Sequence, residues 1–135
     1  MVAEAAKSQA EGDVSEHAAK TLVHVMRAQA LECYLTKAIN TGLGKGTVAR
    51  VAAQIADIYD DALKALAHIT IEQKSNHPWR HWGAMLQMKA MLKRATAQYY
   101  MAGACKERTQ AGEEVARLHA SRDLCEQLQK VATEL

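Results

Sequence analysis

Three groups of residues have types and spacings that could do chemistry. Gly42-Leu-Gly44-Lys45-Gly46-Thr47 is glycine-rich and carries a lysine and a hydroxyl. A phosphate-binding loop needs the lysine directly after its last glycine and the hydroxyl directly after the lysine. Here Gly46 separates Lys45 from Thr47, and no strand pattern precedes the loop. The expectation is an interhelix turn without a nucleotide. His77 and His81 lie four apart, a spacing that can put two imidazoles on one helical face and hold a metal. No third ligand lies close in sequence, so no metal is expected. Asp60–Asp61 and Glu113–Glu114 are the acid pairs. Neighbouring residues on a helix point about 100° apart, so neither pair converges on one substrate atom. Glu113 and Glu114 suit the positive end of a helix, and each can reach Arg117. Cys33, Cys105 and Cys125 have no convergent histidine and read as small apolar residues. No catalytic residue and no cofactor follow from these groups, and the chain is not expected to be an enzyme.

Composition says what kind of scaffold carries them. In 135 residues, 49% are hydrophobic but only 4% aromatic, with no Phe. The core must therefore be Ala, Leu, Val, Ile and Met, which suits closely packed helices better than sheets. One proline, Pro78, and seven glycines leave room for a few long helices. A formal net charge of +2 gives no argument for nucleic acid. Three cysteines without a CxxC fit free thiols in a reducing compartment. No apolar run approaches the ~20 residues of a membrane span, and the first residues lack the apolar core of a signal peptide. These features predict a cytosolic protein.

The pattern along the chain predicts an all-α fold of about four long antiparallel helices. Residues 1–12 read as a flexible N-terminus and 13–135 as one helical segment, capped at Asp13 or Ser15. The first helix carries Leu22, Val25, Met26, Cys33, Leu35 and Ile39 and ends at Asn40–Gly46. The second, Thr47 to about Ile71, has the clearest stripe: Val48, Val51, Ala52, Ile55, Ile58, Tyr59, Ala62, Leu63 and Leu66. Lys74–Pro78 is the next break. The third helix, Trp79 to about Cys105, carries Met85, Met88, Leu92, Ala95, Tyr99 and Ala102, with Trp82 packing its start. The fourth, Gln110 to Thr133, carries Val115, Leu118, Cys125, Leu128 and Ala132. Ala97–Leu118 reads as a hairpin tip with its turn at Gly112. Arg80, Lys89, Lys93, Arg94, Lys106 and Arg108 form a basic stripe, a solvated face or a contact for an acidic partner or membrane surface.

Five blocks in this order carry a resemblance: Ala28–Ala38, Ala49–Ala62, Trp82, Ala97–Cys105 and Gly112–Leu118. Together they resemble the BRO1 domain family, nearest to its BROX-like and Alix-like members, over about residues 25–130. The resemblance implies tetratricopeptide-like helical hairpins. It implies a non-enzymatic scaffold or adaptor of the ESCRT endosomal sorting pathway, cytoplasmic and recruited to endosomal membranes. The implied partner is the C-terminal amphipathic helix of an ESCRT-III subunit of the charged multivesicular body type, docked in a groove. The family's groove aromatic corresponds to Tyr34 and its two aliphatic positions to Thr47 and Val51. Thr47 departs from the aliphatic pattern, and the Gly42–Gly46 loop departs as well. BRO1 domains are several times longer than this chain, which implies a partial domain with apolar surface left open to self-association or a partner. The alternative expectation is a self-associating helical bundle, or an interaction module with no ESCRT role.

Overall fold

A computed structural model describes residues 16–69 and 79–134. The expected flexible N-terminus at 1–12, the caps at Asp13 or Ser15, and the break at Lys74–Pro78 with His77 lie outside the described residues. Four helices account for almost all the rest: α1 (Glu16–Asn40), α2 (Lys45–Ala67), α3 (Trp79–Glu107) and α4 (Ala111–Thr133). No strand occurs among the described residues, so the chain is all-α as the sequence predicts. Each helix packs on its neighbour in sequence. Cross-helix bonds run antiparallel along the α3–α4 pair, from Arg117 to Gln98 at 3.1 Å and from Ser121 to the Ala95 carbonyl at 2.9 Å.

Both hairpin turns are built from backbone. At the end of α1, Gly42 takes φ +75°, a left-handed conformation that costs glycine nothing. Its N–H donates to the Ile39 carbonyl at 3.2 Å, and the Leu43 N–H to Ala38 at 3.0 Å. This pair of bonds is a Schellman termination, which satisfies carbonyls the helix leaves open. The α3 end repeats it with Thr109 in the glycine position, at φ +58°. Its N–H donates to Lys106 and that of Gln110 to Cys105, at 3.1 and 2.9 Å. The sequence places this turn at Gly112, but Gly112 is exposed inside the first turn of α4. The hydrogen-bonding capacity of the last turn decides where α3 stops, and a β-branched residue takes the strain.

Helix α2 is the centre of the molecule. Val48, Ala52, Ile55, Ile58, Tyr59, Ala62 and Leu66 are buried, and Val51 and Leu63 pack against them, all as the stripe predicts. The other three helices differ from expectation. On α1 the buried residues are Ala18, Thr21, Val25, Ala28, Leu35 and Ala38. Leu22, Met26, Cys33 and Ile39, expected inside, are exposed. On α3, Leu86, Ala90, Ala95 and Ala102 are buried while Met85, Leu92 and Tyr99 are exposed. On α4 no residue is fully buried. Its inner stripe is Arg117, Ser121, Leu124, Leu128 and Val131, so Val115, Leu118, Cys125 and Ala132 are corrected to the exposed side. Small residues line the contacts because they let backbones approach closely, and spacings of three and four keep them on one seam. Trp82 packs its start of α3 against the core, as expected. His17 and His68 stack at 4.9 Å between ring centroids and join the start of α1 to the end of α2.

Substituting Ala52→Leu should cost about 1–3 kcal/mol in urea unfolding, because Ala52 is fully buried and a well-packed seam cannot absorb the added carbons. The opposite outcome is expected for Thr109→Gly, which relieves a left-handed β-branched residue. That variant should gain up to about 1 kcal/mol, and a lower unfolding midpoint would show the turn is not strained.

Candidate docking surface

The residues singled out for binding lie at one end of the α1–α2 hairpin, within three turns of the 41–44 loop. Tyr34, on α1, is 48% exposed, far too open for ordinary core packing. Thr47, in the first turn of α2, is exposed, and Val51, one turn on, is half-buried against the core. Thr47 and Val51 lie one turn apart on α2, and Tyr34 lies two turns before the loop on α1, so this end of the hairpin carries a half-exposed aromatic, a hydroxyl and a half-buried aliphatic.

Beside this end lies a polar cluster that the sequence reading missed. The Tyr59 ring is fully buried where α1, α2 and α3 meet. Its hydroxyl donates to Glu32 Oε1 at 2.8 Å and accepts from Lys89 Nζ at 3.4 Å. Lys89 and Lys93 reach the same carboxylate at 3.7 and 3.8 Å. Lys89 also stands over the Tyr59 ring, 5.4 Å from its centroid. Burial, then the hydrogen bond and charge of Glu32, push the Tyr59 phenol well above its ordinary range. On the other side of α2, Arg94 bonds Asp60 and lies 3.6 Å from Asp57. The signal for Glu32 was present: it sits between Ala28 and Leu35 on the spacing of the buried stripe, where a charge requires a partner.

These pairs correct the basic stripe. Lys89, Lys93 and Arg94 cross to acids on neighbouring helices, and Lys106 and Arg108 remain exposed at the hairpin tip. Lys45, from the glycine-rich loop, pairs with an acid at the end of α3. Its ammonium lies 3.5 Å from Glu107. Its stem crosses Gly103 so closely that a Cβ there would come within 2.7 Å of Lys45 Cδ. Glu113 pairs with Arg117 at 3.2 Å, as expected of acids starting a helix. Of the cysteines, Cys105 is buried as read, whereas Cys33 and Cys125 are exposed. His81 is exposed on α3. No group of three His, Cys, Asp or Glu residues converges among the described residues. No described helix is long and apolar enough to cross a membrane.

A largely apolar groove runs along α3 and onto α4, lined by Trp82, Met85, Met88, Leu92 and Leu128 together with His81 and Lys89. Fold and surface together define a helical-hairpin module that presents exposed large apolar side chains. The sequence matches the family described as BRO1-like domain over residues 1–135, and the chain belongs to that family. It is 36% identical over 106 residues to the pH-response regulator protein palA/RIM20 of Emericella nidulans, covering 78% of this chain and 12% of that protein. Identity to the vacuolar protein-sorting protein BRO1 of Gibberella zeae is 31% over 120 residues, 89% of this chain and 12% of that one. For the programmed cell death 6-interacting protein of Xenopus laevis it is 31% over 112 residues, 83% and 12%. The chain thus spans about an eighth of the length of these relatives.

The Tyr59 cluster predicts a specific alkaline behaviour. Below about pH 10 both folded and unfolded states hold the phenolic proton, and the contribution to stability is complete. Above it the unfolded chain releases the proton first, so stability falls as pH rises toward the elevated folded-state value. Unfolding followed from pH 8 to 11 should show a steeper loss for the native chain than for Tyr59→Phe. The same variant should cost about 1 kcal/mol at neutral pH. Parallel curves would mean that the hydroxyl is not held by Glu32.

Proposed function

We propose that this chain is a non-enzymatic adaptor segment of the ESCRT endosomal sorting pathway, and that it docks the C-terminal amphipathic helix of an ESCRT-III subunit of the charged multivesicular body type. The site is the turn end of the α1–α2 hairpin, at Tyr34, Thr47 and Val51. The observation that carries this reading is the 48% exposure of Tyr34, a large aromatic that the helix core does not use. Membership of the BRO1-like family and the vacuolar protein-sorting name of one relative support the pathway. A protein in this role is cytoplasmic and reaches endosomal membranes by recruitment. Direct contact with the membrane rests on Lys106 and Arg108, which are exposed at the hairpin tip, whereas Lys89, Lys93 and Arg94 pair with acids of neighbouring helices.

In mechanism, the partner helix lays apolar residues at i, i+3 and i+4 over the Tyr34 ring and the Val51 side chain. Thr47 puts a hydroxyl where an apolar contact would be tighter, so this surface binds less strongly than one with an aliphatic residue there. A labelled ESCRT-III C-terminal helix titrated into the chain should bind. Tyr34→Ala should weaken binding about tenfold or more, since it removes an exposed anchor without opening the core. Val51→Asp should abolish binding by placing a charge in the apolar floor, and Thr47→Ile should strengthen it. A folded chain that shows no binding, or a Tyr34→Ala variant that binds unchanged, would sink the proposal.

A further inference from the structure

We infer that the groove on α3 and α4 is a second docking surface, separate from the Tyr34 end, and that it takes an amphipathic helix carrying glutamate or aspartate beside its apolar face. Shape and charge argue for that occupant together. Met85 and Leu92 are 40% and 46% exposed, and with Trp82, Met88 and Leu128 they form an apolar trough along the helices. Methionine and leucine in such a row fit the apolar stripe of a helix, and the flexible thioethers adapt to it.

The charge comes from the cluster behind the trough. Lys89 and Lys93 share the single carboxylate of Glu32, whose Oε1 also accepts the Tyr59 hydroxyl. Two ammonium groups thus face one acid among the described residues. Lys93 is the deeper of the two, with 19% of its side chain exposed, against 36% for Lys89. Only Lys89 also lines the groove. An acid on a helix seated in the trough would therefore pair with Lys89 and leave Glu32 to Lys93. Binding turns two lysines sharing one carboxylate into two separate pairs. That exchange favours an acidic helix and disfavours a basic one, a selection that works through charge rather than contact area.

The test uses the full chain and two labelled synthetic helical peptides with an identical leucine face, one flanked by glutamates and one by lysines. Fluorescence anisotropy at low salt should show the glutamate peptide binding about three- to tenfold more tightly, with the difference shrinking as salt rises. Lys89→Gln, which keeps most of the stem, should remove the preference and leave apolar binding. Leu92→Glu and Met85→Glu, both at exposed positions, should abolish binding while circular dichroism stays unchanged. Tyr34→Ala should leave it intact, which separates this surface from the proposed ESCRT-III site. Equal affinity for the two peptides overturns the inference. So does binding lost in Tyr34→Ala but kept in Leu92→Glu, or sedimentation showing that a second copy of the chain already covers the groove.

Discussion

Tyr59 lies where α1, α2 and α3 come together, and it is an awkward residue to place there. Its ring is fully buried, but its hydroxyl must still find a partner. Glu32 supplies one, and that puts a carboxylate on the inner stripe of α1. The carboxylate in turn demands cations, and Lys89 and Lys93 come from α3 to meet it. One buried phenol thus ties the first three helices into a fixed register. Alanine-lined seams such as these can slide by a turn with little change in packing energy, because their side chains carry little shape. A hydrogen-bonded acid between two lysines is specific where alanine is not. Removing Glu32 takes away both the acceptor of the Tyr59 hydroxyl and the carboxylate that the two lysines reach, which costs more than the bonds themselves contribute.

That arrangement also explains which parts of the fold were legible in the sequence. Helix α2 is flanked on both sides, so its large apolar residues are its core residues, and Val48 through Leu66 read correctly. Helices α1, α3 and α4 pack through Ala18, Ala28, Ala90, Ala95 and Ser121, which look like filler in a sequence. Many of their large residues, Leu22, Met26, Met85, Leu92, Val115 and Leu118 among them, point outward, while Val25, Leu35 and Leu86 are buried. Periodicity alone cannot tell a seam of small residues from an exposed stripe of large ones, since both repeat every three or four positions. The turn at Thr109 was hidden for a similar reason. Glycine is the usual signal for a left-handed helix end, and Gly112 stood nearby, but the carbonyls of Cys105 and Lys106 fixed the end three residues earlier.

The candidate site was legible through family resemblance rather than through chemistry. Nothing in the side chain of Tyr34 marks it from sequence as exposed, and position 34 reads equally well as core. The Glu32 cluster was open to physical reasoning, because an acid between Ala28 and Leu35 on a buried spacing has to be answered by a cation. The basic residues of α3 were visible too, but their partners lie on other helices, and sequence distance conceals them.

The division of labour between small and large residues bears on function. A chain that packs through alanines and leaves Leu22, Met26, Tyr34, Met85, Leu92 and Tyr99 exposed keeps its internal contacts short and has adhesive side chains free for others. Such surfaces invite indiscriminate association unless charge limits the partners. Here the limiting charges are the same ones that hold the fold. Glu32 is shared out among Tyr59, Lys89 and Lys93, and Lys89 borders the α3–α4 groove. A partner that engages Lys89 therefore draws on the contact that fixes α1 against α3. Lys93 also reaches Glu32, so the register of α1 on α3 holds when a partner takes Lys89, and partner choice can change there without loss of the fold.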